Sequence, residues 1–329
     1  MFEEGIQAFW EWWRAGGRQM LETAIQGQGG EDLPSTISEL VSDIHPSLQW
    51  QLAPGIAAEH SLALSGGGLG TLRIIAQQWA ESAPDDASGW EFHGARIPVE
   101  PPFLTIEGVA LDPTQLSWVA EENTVYEQLD ISVFVPGFEL LDDAPRMQAI
   151  LTYLDAVLGE DKSETWIGII DPLADPPRGG RPLADIADRV ASYAATTTGE
   201  GWEIIEQEEY GAYTISTINR ALKHLHHLDK VLHCEIIVGM NDTTQLGLPT
   251  DVETADQGEI EDDALATIGD RGVFLGRETI ARHRHLHFFV KDSETFAEEI
   301  ADWAEEFDSH AVDAIVTLDP DWSILNRWL

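Results

Sequence analysis

Two apolar segments near the end of the chain alternate in polarity with a period of two residues. They are 231–238, with the sequence VLHCEIIV, and 283–290, with the sequence HRHLHFFV. Because neighbouring side chains of a β-strand point to opposite faces, each segment predicts a strand with one apolar face and one imidazole-bearing face. The apolar faces carry Leu232, Cys234, Ile236, Val238, Leu286, Phe288 and Val290. The opposite faces carry His233, Glu235, His283, His285, His287 and Phe289.

The patterns around these two segments give the element order of a complete small domain. Strands are predicted at 231–238, 272–275, 283–290 and 312–318, and helices at 258–268 and 293–307. This βαββαβ order is typical of a ferredoxin-like sandwich, in which both helices cover one face of an antiparallel sheet. The two histidine-bearing strands are central neighbours in such a sheet, so their imidazoles would gather on the helix-free face.

The first 200 residues follow a similar order with weaker signals. Strand, helix, strand, strand, helix and strand fall between residues 60 and 172, and the two halves close on IIDP and TLDP. We therefore predict an α+β protein with N-terminal helices packed on the core (1–45), an α/β sandwich (46–200) and the ferredoxin-like domain (201–329). The segment 217–228, TINRALKHLHHL, predicts a further helix.

An aromatic stripe marks the N-terminal helix. Its members are Phe2, Ile6, Phe9, Trp10 and Trp13, spaced to share one helical side. Such rings bury a large apolar area, which favours docking on the protein's own core. A surface for a protein partner is the alternative, with Trp10 and Trp13 as candidate interface residues beside His283 and Phe289 of the histidine strand.

The charge of the chain limits its partners. It has 59 acidic and 18 basic side chains, a formal net charge of −41. This surface repels the phosphates of nucleic acids and of anionic membranes, so neither is an expected partner. The acids are spread along the whole chain, which favours adaptation to high internal salt, as in halophiles. An acidic patch for a basic protein partner is the alternative explanation.

A cytoplasmic location is expected. Cys234 is the one cysteine of the chain, so no internal disulfide can form, as is usual in a reducing compartment. The N-terminal segment MFEEGIQAFWEWW lacks the basic region of a secretory signal. No apolar run approaches the ~20 residues that span a membrane.

Three interpretations of the histidine face stay open. His285, His287, His233 and Glu235 could bind a divalent transition metal such as zinc or iron, because imidazoles two apart on a strand can share an ion with a carboxylate. Against this, three histidines that span ~13 Å of strand cannot all reach one ion. The face could instead dock on the other half of the protein or on a partner, or it could be solvated. Cys234 faces the helices and is expected to be a buried small hydrophobe.

A glycine-rich turn, Gly66-Gly67-Gly68, lies between a predicted strand and a predicted helix. Such turns can hold phosphate groups on backbone amides. This turn lacks both the P-loop lysine and the glycine spacing of dinucleotide sites. The pattern therefore favours a permissive turn, with a phosphate site between residues 66 and 70 as the alternative.

Several stretches of the C-terminal part are similar to a known family. They are INRAL, GLPTDVE ahead of IEDDALATIG, VFLGRETIARHRHLHFFVKD and the closing TLDPDW. From about residue 202 onward the chain resembles an uncharacterised bacterial family, number 695 among the domains of unknown function. That family is grouped with proteins similar to the ribonuclease E inhibitor regulator type B. The resemblance implies a compact α/β fold, a regulatory role by analogy of fold alone, and no catalytic residues. The family's usual tyrosine near position 289 makes the extra histidines a local feature.

We found no nucleophile elbow, P-loop or zincin motif in the sequence. The expected function is therefore that of a non-catalytic, cytosolic protein that acts through protein contacts, in a regulatory role if the resemblance holds. A metal-binding protein or metal-dependent hydrolase that uses the histidine face is the alternative.

Overall fold

The computed structural model describes residues 2–28, 30, 32–209 and 212–328. The chain forms two compact units. Unit 1 comprises residues 1–122 and 128–196, and unit 2 comprises residues 123–127 and 197–329. The protein is a mixed α/β protein with several sheets, as predicted. The division into segments 1–45, 46–200 and 201–329 stays a prediction.

Unit 1 begins with three helices. Helix α1 (Phe2–Trp12) continues through a π-helical turn into α2 (Arg18–Ile25), and Gly16 takes a φ of 134° within that turn. Helix α3 (Leu33–Ile44) packs against α1 at Gly5, where a Cβ atom would lie 2.7 Å from the carbonyl oxygen of Asp43. The absence of a side chain at Gly5 therefore allows the close approach of the two helices.

The first sheet of unit 1 lies against these helices. It consists of β1 (Gln49–Pro54), β2 (His60–Ser65) and β3 (Trp90–His93), in that order. Strands β2 and β3 are parallel and are connected through α4 (Gly70–Glu81). The Trp10 ring of α1 stacks on Trp79 of α4 with 5.1 Å between ring centroids, and its Nε1 donates to the Trp79 carbonyl at 3.1 Å.

The rest of unit 1 forms a hairpin and a second sheet. The hairpin pairs β4 (Leu104–Ile106) with β5 (Val109–Leu111), and the sheet has the order β8-β7-β6-β9. Its strands are β6 (Ser117–Asn123), β7 (Gln128–Phe134), β8 (Ile167–Pro172) and β9 (Arg181–Pro182). Helices α5 (Asp143–Leu158) and α6 (Glu160–Trp166) connect the parallel strands β7 and β8, and α7 (Ile186–Ala194) follows β9.

This arrangement corrects the prediction for the N-terminal half. Within the described residues, its strands belong to separate sheets and do not form one sandwich that repeats the C-terminal unit. The physical reason is that alternation fixes which side chains share a face, whereas strand pairing depends on contacts distant in sequence.

Unit 2 is built on a six-stranded sheet of order β10-β11-β13-β14-β12-β15, with antiparallel neighbours throughout. The strands are β10 (Trp202–Glu209), β11 (Ala212–Asn219), β12 (Leu232–Gly239), β13 (Gly272–Ile280), β14 (His283–Val290) and β15 (Val312–Leu318). Helix α8 (Asp251–Ile268) follows β12, and α9 (Phe296–Glu305) connects β14 to β15. A 3₁₀ segment, Ser323–Trp328, ends the described chain.

Part of the predicted helix at 217–228 is strand. Strand β11 continues to Asn219, and 3₁₀ structure is confined to His224–His227. The Asn219 side chain explains the break, because its Oδ1 accepts from the backbone amides of Gly201 and Ala221 at 3.1 and 3.0 Å. An asparagine that bonds nearby backbone amides competes with helix formation.

Candidate functional site

The apolar alternation of β12 and β14 sorts the side chains of unit 2 as the sequence predicted. Leu286, Phe288 and Val290 pack in one buried cluster with side chains of α8 and α9. That cluster also contains Cys234, Ile236, Val238, Ile260, Phe296, Ile300 and Trp303. Strands β12 and β14 are hydrogen-bonded neighbours, with Glu235 opposite His287. The imidazoles therefore lie on the face of the sheet opposite the two helices, which we call the reverse face.

Part of the reverse face is covered by the chain's own end, residues 319–328, which we call the C-terminal cover. The Trp322 ring stacks on Phe289 at a centroid distance of 4.1 Å and an interplanar angle of 6°. Its Nε1 donates to the Lys230 carbonyl at 2.9 Å. The Trp328 ring meets His287 edge to face at 5.0 Å. Trp322 and Trp328 thus shield this part of the reverse face, around Phe289 and His287, from water.

A buried carboxylate attaches the C-terminal cover to the sheet. Glu278 of β13 is only 3% exposed. It accepts hydrogen bonds from the Ser216 hydroxyl at 3.1 Å and from the Trp328 indole at 3.2 Å, and it pairs with the Arg327 guanidinium at 2.5 Å. These partners compensate the cost of burying a charge, so the carboxylate acts as a structural anchor.

His233 and His287 form a buried pair. His233 Nε2 and His287 Nδ1 are 3.2 Å apart. Burial lowers the pKa of His287 to about 3, and it also lowers the pKa of His233. Both rings are therefore neutral at physiological pH, because the surroundings disfavour their charged forms. Within the described part of the chain, the buried His287 Nε2 has no hydrogen-bond partner.

His285 and Glu235 form a second, more accessible pair. His285 Nδ1 lies 2.8 Å from Glu235 Oε1, and their side chains are 17% and 21% exposed. The hydrogen bond from His285 lowers the pKa of the Glu235 carboxyl. His283 is exposed, and its Nδ1 contacts the Ala281 carbonyl at 3.0 Å. The structure thus separates the predicted metal residues into two pairs.

The four donor side chains of the predicted metal site lie on one face of the sheet, but they do not converge on a common point. Among residues 2–28, 30, 32–209 and 212–328, no three His, Cys, Asp or Glu side chains are arranged to hold one ion. His233 and His287 direct one ring nitrogen each at the other. His285 directs its Nδ1 at Glu235. Metal binding by this face would require these side chains to change rotamer.

The predicted interface residues have contrasting positions. Trp10 and Trp13 are 2% and 3% exposed and lie in the core of unit 1, while Phe289 is fully buried beneath Trp322. Their large apolar rings are therefore covered by the chain itself. Of the four predicted residues, His283 lies at the surface of the structure.

The other half of the reverse face carries partly exposed side chains of β12, β14 and β15, which we call the lateral strip. Register places Ile237 between His285 and Asp313, and Glu235 between His287 and Ile315. The lateral strip consists of Glu235, Ile237, His283, His285, Asp313, Ile315 and Thr317. Ile315 is 44% exposed, and β15 forms one edge of the sheet.

Sequence reasoning missed a cavity of about 990 Å³ in unit 1. Gly67 and Gly68 of the glycine-rich turn line it, but so do carboxylates of α5 and α6. The Ser65 hydroxyl at the start of the turn donates to Glu160 at 2.8 Å. Negative side chains beside these glycines disfavour the phosphate site that the sequence left open as the alternative to a permissive turn. The sequence EDKSETW contained a signal for these carboxylates, because Glu160 and Glu164 are four residues apart and share one side of a helix.

Comparison with known proteins is informative for unit 2. Residues 200–329 match the sequence profile of a family of unknown function, DUF695. The match covers the β10–β15 sheet and the C-terminal cover. The comparison with curated proteins gave no match. The search of solved structures also gave none. Within the described residues, no helix has the length and apolar character needed to cross a bilayer.

Proposed function

We propose that unit 2 is a non-catalytic protein-binding module that takes an extended, basic segment of a partner along β15. The observation that supports this most directly is the position of β15 at the edge of the sheet, beside the lateral strip. Edge strands present unpaired backbone N–H and C=O groups, which can pair with a strand of another protein. The exposed Ile315 side chain offers an apolar contact to side chains at alternate positions of the partner's strand.

The charge around β15 defines the partner's chemistry. Helix α9 packs against β15, and its ten residues include four acids and no base. The lateral strip adds the Glu235 and Asp313 carboxylates, and the lowered pKa of Glu235 keeps that group charged. Complementary charge steers encounter and fixes register, so a basic segment fits this edge better than an acidic one.

The architecture of unit 2 supports a binding role without defining a reaction. We infer that β12–α8–β13–β14–α9–β15 is a ferredoxin-like sandwich, because the strand order β13-β14-β12-β15 and the helices on one face are those of that fold. Strands β10 and β11 extend its sheet. The resemblance to ribonuclease regulators suggests that the proposed binding has a regulatory role in the cytoplasm. The buried, free Cys234 is compatible with a reducing compartment.

A defined peptide tests this proposal. Fluorescence anisotropy would measure binding of a labelled peptide of alternating lysine and valine to the full chain, beside a peptide of alternating glutamate and valine. We expect binding of the lysine peptide alone. Ile315→Lys should weaken it about tenfold, because the substitution removes an apolar contact and repels the peptide.

The matched control is Val252→Lys, which makes the same change of charge at an exposed position of α8 in the same unit. It should leave the affinity close to that of the wild-type chain. Equal losses of affinity in Ile315→Lys and Val252→Lys would show that binding is nonspecific and that β15 is not the site. Equal binding of the lysine and glutamate peptides would show the same.

The metal alternative stays a second candidate, because four donor side chains do share the reverse face. If unit 2 holds zinc through His285 and Glu235 with His287 or His233, dialysed protein should retain about one zinc per chain. The double variant with His285→Ala and Glu235→Gln should lose it. Elemental analysis that finds no retained zinc in the wild-type chain would remove this alternative.

A further inference from the structure

The C-terminal cover depends on the sheet for its conformation. Trp322 takes a φ of 53°, a left-handed conformation that is unfavourable for a bulky residue. Stacking of its ring on Phe289 and the hydrogen bond from its Nε1 to the Lys230 carbonyl retain it there. Because such a conformation persists only while its surroundings hold it, weakening the contacts with the sheet should release the cover.

The cover closes a small apolar cluster on the reverse face. Trp322 and Trp328 pack there with Ile218, Leu275 and Phe289 of the sheet. This cluster is separate from the core that lies between the sheet and the helices α8 and α9. The helical side of unit 2 can therefore stay packed when the cover leaves, and opening would expose apolar side chains of the sheet.

The buried imidazole pair lies beneath the cover. His287 is fully buried and His233 is 6% exposed, and their rings are nearly parallel with 5.4 Å between centroids. Trp328 covers His287 edge to face, and Phe289, on which Trp322 stacks, lies 5.5 Å from the His233 ring. The cover thus excludes water from both rings, and a proton on either ring would place a charge in an apolar layer.

The surrounding groups do not compensate such a charge. Burial lowers the pKa of both imidazoles, and the Arg327 guanidinium of the cover lowers both further. The Glu235 carboxylate favours the charged forms, but burial outweighs it. The titratable and charged groups around the pair are Glu235 of β12, Glu278 of β13, His285 of β14, and Asp319 and Arg327 of the cover.

Two further imidazoles contact the cover from the segment before β12. The rings of His224 and His227 lie 5.1 and 5.9 Å from the Trp322 ring. Burial and the neighbouring Lys230 lower the pKa of His227. An imidazolium beside an indole ring gains cation–π attraction, which offsets part of the cost of charging it. The pair beneath the cover is therefore the stronger acid-sensitive element.

We propose that the C-terminal cover is an acid-released strap. Protonation of the His233–His287 pair detaches residues 319–328 from the reverse face and exposes Phe289 with its apolar neighbours, while the helical side of unit 2 stays folded. The cover lies outside the lateral strip, so it can open whether or not β15 binds a partner.

The direction of the switch follows from the two states of the pair. In the closed state burial suppresses the charged imidazoles, whereas in the open state water solvates them and their pKa returns toward the ordinary value of 6.5. Protons therefore favour the open state as the pH falls below about 6.5. Between about pH 7.5 and about pH 5.5, the ratio of open to closed molecules should rise about tenfold through His287, and further through His233.

Hydrogen–deuterium exchange of the full chain, read by mass spectrometry at constant high KCl, measures this opening. The Ile324 amide donates to the Asp319 carboxylate and the Leu325 amide to the Trp322 carbonyl. A detached segment this short does not keep such bonds. After correction for intrinsic exchange rates, protection of residues 319–328 should fall at least about tenfold between the two pH values, whereas peptides of α8 should keep theirs.

Variants assign the response to the imidazole pair. The double variant with His233→Gln and His287→Gln should lose most of the fall in protection, because neither side chain titrates. His287→Gln alone keeps a side chain that can bond His233, so it tests the pair even if the double variant does not close. It should show a smaller fall than the wild type. The control His283→Gln changes an exposed imidazole of the same strand and should respond like the wild type.

Unchanged protection of the cover in the wild-type chain at about pH 5.5 would overturn the proposal. So would an equal loss of protection in α8, which would mean that unit 2 unfolds as a whole. A fall in His287→Gln as large as that of the wild type would show that other groups control the cover.

Discussion

At the scale of single residues, the reverse face of unit 2 shows how burial decides the charge of an imidazole. His287 and His283 lie on the same side of β14, four positions apart. His287 lies against Trp328 and is fully buried, while His283 is exposed. The same residue type is therefore a neutral core group at one position and a solvated group at the other.

The lowered pKa of His287 predicts a specific pH dependence of stability. Its pKa of about 3 in the folded state lies below the ordinary value of 6.5, so the unfolded chain binds its proton more readily. Stability should therefore fall as the pH decreases below about 6.5, with His287 contributing about 1 kcal/mol of loss at about pH 5.5. The free energy of unfolding in urea, measured at constant salt at about pH 7.5 and about pH 5.5, checks this.

Variants separate His287 from its neighbours. His287→Gln can still bond His233 but does not titrate, so its loss between the two pH values should be smaller than that of the wild type. His283→Gln should behave like the wild type. His233, also of lowered pKa, adds a loss of the same sign in every variant. The facing carboxylate Glu235, of lowered pKa, loses its contribution only below its ordinary value of 4.5, outside this range. An identical pH dependence in His287→Gln would contradict the assignment.

At the scale of elements, two helical glycines differ in their surroundings. Gly5 of α1 lies against α3, and an added Cβ would be 2.7 Å from the Asp43 carbonyl oxygen and 2.8 Å from the Ile44 Cα atom. Gly258 of α8 has no heavy atom within 4 Å of such a Cβ. The first glycine sets the distance between two helices, whereas the second only weakens its own helix.

These two positions predict opposite effects of the same substitution. Gly5→Ala should lower the free energy of unfolding by about 1–3 kcal/mol, because the methyl group must displace backbone atoms of α3. Gly258→Ala should raise it by about 0.5–1 kcal/mol, because alanine loses less backbone entropy in a helix. Urea titrations of the two variants and the wild type check both signs. Stabilisation by Gly5→Ala would contradict the close packing of α1 on α3 at this glycine.

At the scale of the whole molecule, the net charge of −41 is the dominant electrostatic fact. The chain has 59 acidic side chains against 18 basic ones, so the ion pairs of the structure leave a large excess of negative charge. Repulsion among like charges destabilises the compact state. Added salt shortens its range, from ~10 Å at 0.1 M to ~3 Å at 1 M.

Salt should therefore stabilise this protein strongly. We expect the Tm to rise continuously as KCl is increased from about 0.1 M to about 2 M, because screening removes self-repulsion in the folded state. Differential scanning calorimetry measures the change, and sucrose of equal osmolality is the non-ionic control. A Tm that stays constant across this range would show that the excess of acidic side chains does not adapt the protein to high salt.

The sequence by itself determined the faces of the C-terminal strands. Alternation around Cys234 and Leu286 is a local property, and it correctly assigned their apolar sides to the helices. The same rule put His285 and Glu235 on the reverse face, where they contact each other. The predicted helices at 258–268 and 293–307 overlap α8 (Asp251–Ile268) and α9 (Phe296–Glu305), but α8 begins earlier than the pattern indicated.

Only the tertiary structure decided what covers the reverse face and where the cavity lies. Trp322 bonds Lys230 across 92 positions, and Arg73 pairs with Asp161 across 88. Such contacts leave no periodic signal, because they depend on the path of the chain in space and not on neighbouring residues. For the same physical reason, the sequence identified the histidine strand but could not show that Trp328 buries one of its imidazoles and leaves the others accessible.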